Sequence, residues 1–217
     1  MSIRLFVFDL DGTLVDSLRD LSDAANGLLA ACGAQPLDEA AIGAMVGDGA
    51  ATLVARAFSA AAVPPPADAL DRFLAIYETK LLDYTRPYEG IPDVLAALGA
   101  RASLAVLTNK PRAATLRILA GLDLAGFFED EAIVGGDGPF VRKPDPAALL
   151  QLCARVHVAA DETMMVGDSA VDWRTARNAG TRICLARYGF GFRGFPQTDL
   201  AGGETVIDRP ADLLSVP

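Results

Sequence analysis

FVFDLDGTLVDS, residues 6–17, sets an apolar run against two acids: the run ends by placing Asp9 and Asp11 two residues apart, immediately before Gly12. One buried carboxylate is costly, and two side by side cost more unless something positive comes between them. The stretch therefore asks for a cation. It also sets the frame for the rest of the chain, in which Leu5 to Asp9 is a buried strand with acids at its carboxyl end.

Outward from that strand, short apolar runs alternate with helical periods. Ser103–Leu107, Ala132–Gly135, Met164–Val166, Thr181–Ala186 and Thr205–Ile207 read as strands. Helices between them are predicted to start near Pro92 and Pro111 as first-turn residues and near Asp145 and Ser169 as caps. The alternation predicts an α/β fold, doubly wound and mostly parallel, with the sheet covered on both faces. Ser17 to about Tyr84 breaks the rhythm with helical patterns alone, punctuated by Pro64-Pro65-Pro66, and reads as an inserted helical subdomain. The expected organisation is a core of residues 1–15 and 87–217 with a helical cap of residues 16–86.

Composition narrows the class of function. A chain of 217 residues with 52% hydrophobic content can bury a sizeable core. Its net charge of −9 argues against nonspecific binding to nucleic acid or to an anionic membrane surface. Cys32, Cys153 and Cys184 are odd in number and form no CxxC pair, so neither a disulfide framework nor a structural zinc site is expected. The N-terminal apolar run is interrupted at Asp9, without a signal-peptide pattern, and no segment is long and apolar enough for a bilayer. A soluble, cytoplasmic protein is expected. Oligomeric state leaves no trace in these patterns.

Open parallel sheets bind ligands beyond the carboxyl ends of their strands, and the residues there have a common chemistry. After the first strand come Asp9 and Asp11; then Thr108, Asn109 and Lys110; then Gly135-Gly136-Asp137 leading to Lys143-Pro144; then Gly167-Asp168-Ser169 and Asp172. These types suit phosphoryl transfer to a small phosphorylated substrate through a covalent aspartyl-phosphate. Asp9 would attack phosphorus, and Asp11 would protonate the leaving alkoxide and later deprotonate water. Asp168 would complete a set of hard oxygen ligands suited to Mg²⁺. Thr108 and Asn109 would donate hydrogen bonds to phosphoryl oxygens, with Lys143 offsetting the carboxylates and Asp172 orienting the metal shell. Of only three lysines beside 16 arginines, two, Lys110 and Lys143, fall in this set. A compact ammonium suits a crowded centre of carboxylates and phosphate.

Two other motifs fail on physical grounds. Gly189-Phe190-Gly191-Phe192-Arg193-Gly194 matches GxGxxG, but Pro196, Gly202 and Gly203 leave no room for the helix that would hold a pyrophosphate. Gly167-Asp168-Ser169-Ala170-Val171 misses a nucleophile elbow by its last residue, and the single histidine, His157, precedes the serine instead of following it. His157 reads as a structural residue near a helix end. A signalling receiver domain also phosphorylates an aspartate with Mg²⁺, yet such domains are shorter and lack the insert.

In FDLDGT, LTNK, the Lys143-Pro144 pair and VGDSAVD, taken in order, the chain resembles the haloacid dehalogenase superfamily of phosphatases. The resemblance covers nearly the whole chain and implies a Rossmann-like core with a helical cap. It further implies Asp9 as nucleophile, Asp11 as acid and base, and Mg²⁺ held by Asp9, the Asp11 main chain and Asp168. The presence of Asp11 counts against the dehalogenase branch. FDLDGTLVDS, VLTNKP, VGGD followed by KPDP, and Tyr188 to Gly191 are similar to the phosphoglycolate phosphatases, although enzymes acting on sugar phosphates or pyrophosphate share much of this pattern. Phosphomutases of this type usually carry Val where this chain has Thr13. Gly47-Asp48-Gly49, just ahead of a helical run from Ala50 to Ala62, lies where such caps carry a specificity loop, and could read a substrate carboxylate with a helix N-terminus.

Overall fold

The computed structural model describes residues 2–196, 198, 200 and 202–216. Its centre is β1 (Leu5–Phe8), every residue of which is buried. Parallel partners flank it on both sides, β4 (Ser103–Leu107) with Leu5 opposite Ser103 and β6 (Thr163–Gly167) with Leu5 opposite Thr163. Together with β5 (Ile133–Val134), β7 (Arg182–Ala186) and β8 (Thr205–Ile207) they form a six-stranded parallel sheet of order β5-β4-β1-β6-β7-β8. The fold is α/β and doubly wound, as the alternation of patterns implies.

The two-residue period of the strands divides the core. Phe6, Phe8, Val106, Met164 and Val166 join one apolar cluster; Leu5, Val7, Ala105, Met165 and Leu185 join another. The first cluster continues under α5 (Ile91–Gly99) and the second under α7 (Ala147–Arg155) and α8 (Ala170–Ala179). Of the expected helix starts, Ser169 is the N-cap of α8 and Pro92 lies in the first turn of α5. Asp145 sits one residue before the α7 cap and accepts the Ala147 N–H at 2.9 Å, while Pro111 is the cap residue of α6 (Arg112–Gly121).

Four helices interrupt the sheet: α1 (Leu18–Ala31), α2 (Glu39–Gly43), α3 (Ala50–Ala60) and α4 (Ala69–Glu78). The chain leaves the core through β2 (Val15–Asp16) and returns through β3 (Arg86–Pro87), which pair antiparallel, with Val15 opposite Pro87. This short ladder has no counterpart in the sequence reading, because two-residue strands carry no period. Asp20, at the start of α1 and fully buried, accepts hydrogen bonds from the Tyr84 and Thr85 N–H groups and, at 2.7 Å, from the Thr85 hydroxyl. The outgoing and returning chains are thus tied to one carboxylate.

Among the described residues no helix is long and apolar enough to cross a membrane. All three cysteines are free. His157 has a φ of 53° just past the end of α7, a turn position.

Candidate active site

From β1 the chain runs by way of β4 to one side of the sheet, and from β6 by way of β7 to the other, so the switch in direction falls between β1 and β6. At such a point the loops beyond the two strands part and leave a crevice. Asp9 follows β1 and Asp168 follows β6, and both line a cavity of about 230 Å³ that also receives Asp11, Thr108, Asn109 and Lys110 from the core and Gly47, Gly49 and Tyr77 from the helical insert.

Asp9 Oδ1 lies 2.8 Å from Lys143 Nζ in an ion pair, but no donor is aligned for a hydrogen bond to it. Lys143 bonds in turn to Asp172 Oδ1 at 2.6 Å, and Asp172 Oδ2 accepts the Ser169 N–H at 3.1 Å and hydroxyl at 2.6 Å. Asp172 therefore caps α8 and holds Lys143 with the same carboxylate. Asp168 Oδ2 accepts the Gly191 N–H at 2.8 Å. Burial pushes the Asp9 carboxyl up to about 7 against the pull of Lys143. Burial, then the charges of Asp172 and Asp9, hold Asp168 well above the usual carboxylate range. For Lys143 burial alone would favour the neutral amine, yet Asp172 and Asp9 more than offset it and keep the group charged.

These features fit a divalent cation. Asp9, Asp168 and Asp172 bring carboxylate oxygens within 4.8 Å of one another. Among the described residues Lys143 alone stands against the three, and one buried Asp9 oxygen lacks a directed donor. An all-carboxylate set of hard oxygens suits Mg²⁺. The wall around Asp168 is built to keep that space: a Cβ on Gly12 or Gly189 would overlap the Asp168 side chain. Gly12 also has a φ of 84°, which lets the backbone turn between Asp11 and Thr13.

The other expected residues take distinct places. The Asp11 carboxylate stands apart from the trio, with Oδ1 accepting the Ser17 hydroxyl at 2.5 Å and Oδ2 lying 3.2 Å from Lys110 Nζ. Thr108 Oγ1 accepts the Lys110 N–H at 3.2 Å, which leaves its own proton for a ligand. Asn109 departs from expectation. Both hydrogens of its amide are engaged, on the Gly47 carbonyl at 2.9 Å and the Lys143 carbonyl at 3.0 Å, so its side chain joins the insert to the core instead of donating to phosphate. Asp48 also departs, because its carboxylate pairs with Arg56 at 2.6 Å and does not line the cavity; Gly47 and Gly49 do.

Four participants were not assigned a role from sequence. Ser17 and Gly191 hold the two acids just described. Lys110 Nζ donates to the Tyr77 hydroxyl at 2.6 Å and stands 4.3 Å from the centre of that ring. Burial opposes the charge on Lys110, but Asp11 and then Tyr77 keep it protonated, and burial pushes the Tyr77 phenol up to about 12. The scarcity of lysine was the available signal for Lys110. Gly191 lay inside the rejected GxGxxG; among the described residues no α-helix follows it, and the short 3₁₀ turn Phe190–Gly194 presents its N–H to Asp168.

A sequence model of the haloacid dehalogenase-like hydrolases matches residues 6–186. The chain is 46% identical over 196 residues to the phosphoglycolate phosphatase of Rhodospirillum rubrum, covering 86% of this chain and 80% of that protein. It is 32% identical to the N-acetylmuramic acid 6-phosphate phosphatase of Pseudomonas aeruginosa, covering 100% and 95%. A crystal structure described as a predicted phosphoglycolate phosphatase from Haemophilus somnus superposes with a TM-score of 0.88 at 29% identity, over 99% of this chain and 98% of that one. With its acids at the ends of β1 and β6 and its match running from β1 through β7, the chain belongs to the haloacid dehalogenase-like hydrolase family.

Proposed function

We propose that this hydrolase is a Mg²⁺-dependent phosphomonoester phosphatase that works through an aspartyl-phosphate on Asp9, with 2-phosphoglycolate as substrate. The observation that carries the reading is that Asp9, buried against Lys143, and Asp11, held by Ser17 and Lys110, face the same cavity from positions two residues apart. A carboxylate of Asp9 attacks phosphorus and the ester oxygen departs, taking a proton from Asp11. Asp11, now a carboxylate, removes a proton from water; the hydroxide attacks phosphorus, and Asp9 is released with inorganic phosphate. Asp9, Asp168 and the Asp11 main chain would hold Mg²⁺, which would supply the positive charge an anionic carboxylate needs to meet an anionic ester. Thr108 donates its hydroxyl to the phosphoryl group, and Lys143 balances Asp9 and Asp172 from behind.

The substrate reading rests on the rest of the cavity wall. Leu21, Val46, Leu53, Phe73 and Leu74 make most of it apolar, and its polar members Glu78 and Ser169 already have partners in Arg117 and Asp172. The hydroxyls of a sugar would face carbon there without partners, at a cost for each. A short leaving group with one polar end is accommodated better. The names of relatives add support, since the Rhodospirillum rubrum protein is a phosphoglycolate phosphatase. We read residues 16–86 as a cap that excludes water, joined to the site through Asn109 and Lys110, with the Gly47–Gly49 turn at its rim. The net charge of −9 speaks against a nucleic-acid or membrane partner, and three free thiols suit a cytoplasmic enzyme.

A panel of phosphate esters assayed with Mg²⁺ and ranked by kcat/KM tests this, with Asp9→Asn as control. We expect 2-phosphoglycolate at the head of the panel and a loss of roughly 10³-fold or more in Asp9→Asn. Activity near wild type in Asp9→Asn would sink the covalent route. A sugar phosphate at the head would overturn the substrate while leaving the chemistry.

A further inference from the structure

The geometry points to Lys110 and Tyr77 as the pair of donors that reads the carboxylate of the substrate's leaving group, an assignment that rests on the 2-phosphoglycolate reading. Lys110 is the only basic side chain lining the cavity among the described residues. Its ammonium has three hydrogens and two partners, Asp11 Oδ2 at 3.2 Å and the Tyr77 hydroxyl at 2.6 Å. Because Tyr77 accepts from Lys110, its own hydroxyl proton is free, and no described residue accepts it. Two unspent donors therefore stand side by side, one of them charged, next to the acid that protonates the ester oxygen.

That arrangement suits glycolate closely. In 2-phosphoglycolate the carboxylate is separated from the ester oxygen by a single methylene, so a leaving oxygen at Asp11 brings the carboxylate to groups beside Asp11. Lys110 is that neighbour. A carboxylate has two oxygens and one charge, and the pair offers two donors and one charge. A second phosphate would bring more charge than a single ammonium already shared with Asp11 can balance. An uncharged end would leave Lys110 with nothing better than water. Tyr77 comes from α4 of the insert and Lys110 from the core, so the reader exists only when the two are together. Glu78, the next residue, forms an exposed ion pair with Arg117 on α6 of the core.

The bland alternative is that Lys110 only neutralises Asp11. The two roles separate in a comparison of 2-phosphoglycolate with 2-hydroxyethyl phosphate, which has an alcohol in place of the carboxylate. The full chain with Mg²⁺ is assayed as wild type, Lys110→Met and Tyr77→Phe. Lys110→Met harms both substrates through Asp11, so the quantity to read is the ratio of their kcat/KM values. We expect wild type to prefer 2-phosphoglycolate, the ratio to fall roughly 10- to 100-fold in Lys110→Met, mainly through KM, and roughly 2- to 10-fold in Tyr77→Phe. An unchanged ratio in Lys110→Met, with both activities reduced alike, overturns the assignment and leaves the substrate reading in place. A wild type with no preference overturns the substrate reading and the assignment with it. Should Lys110→Met fail to fold, Tyr77→Phe decides: it keeps the ring over the ammonium, and an unchanged ratio there overturns the assignment.

Discussion

Lys143 and Lys110 are both buried, both paired with an acid of the DxD segment, and both held in the charged form, yet they are built from different parts of the molecule. Lys143 closes a circuit made wholly by the core: Asp9 after β1, Asp172 in α8, and Ser169 capping that helix. Lys110 spans the boundary, with Asp11 on one side and Tyr77 of α4 on the other. The first arrangement takes no side chain from the insert. The second is complete only with the insert in place. On the reading proposed above, the chemistry common to all phosphate esters sits within the core, and discrimination sits where core and insert meet.

The strongest way to break this comparison is Lys143→Met. It leaves Asp9, Asp168 and Asp172 without their ammonium, and we expect kcat/KM to fall roughly 10³-fold for every ester alike, with a stability loss of about 3–5 kcal/mol typical of a broken buried pair. Measured on 2-phosphoglycolate and 2-hydroxyethyl phosphate together, the variant should keep the wild-type ratio; a shifted ratio would show that the core circuit also reads the leaving group. Next in size is Asp11→Asn, expected to cost roughly 10²- to 10⁴-fold on 2-phosphoglycolate, whose alkoxide needs a proton. p-Nitrophenyl phosphate should lose much less, provided phosphoryl transfer limits the rate. Equal losses under that condition would remove Asp11 from proton transfer.

The smallest effect is a linkage between ion and proton. The Asp9 carboxyl is raised from its usual 3.8 to about 7, so between those values the metal-free folded protein holds a proton that the unfolded chain has shed. Folding then takes up protons, and the stability contributed by the neutral carboxyl is lost as pH rises through that window. A cation favours the ionised form and reverses the loss. We expect millimolar Mg²⁺ to raise the melting temperature by roughly 5 °C at pH 8 and distinctly less at pH 5.5, where it must displace a proton. Equal shifts at the two pH values would mean that Asp9 does not carry the linkage.

Much of this could be read before any coordinates. Asp9, Thr108 and Asp168 each follow an apolar run, and a parallel sheet gathers the ends of its strands on one edge, so strand-end position alone brought them together. Ser103–Leu107 and Thr205–Ile207 matched to the residue because short β-prone runs bounded by polar or turn residues have sharp edges. What escaped has physical reasons of its own. Tyr77 sits at a helical spacing from Phe73 and stacks on it at 5.9 Å, so its ring reads as core although its hydroxyl accepts from Lys110 at the cavity. Asn109 has the right type for phosphate, but an amide goes to whichever carbonyls the fold supplies, and the one at Gly47 lies 62 residues away in sequence. Gly191 was judged by the helix a nucleotide site needs, whereas a single backbone N–H aimed at Asp168 needs none.

Asp20 has a mechanical meaning. A body tethered by two independent strings can slide, twist and tumble; one held by a single pinned joint can only turn. With Asp20 gripping Tyr84 and Thr85, and Val15 paired to Pro87, the two crossings between core and insert behave as that one joint. The Gly47 carbonyl and the Tyr77 hydroxyl are both carried by the insert, and their partners Asn109 and Lys110 are adjacent on the core. A rotation about that joint would part both contacts in the same stroke, dismantling the Lys110–Tyr77 pair as the cavity opened.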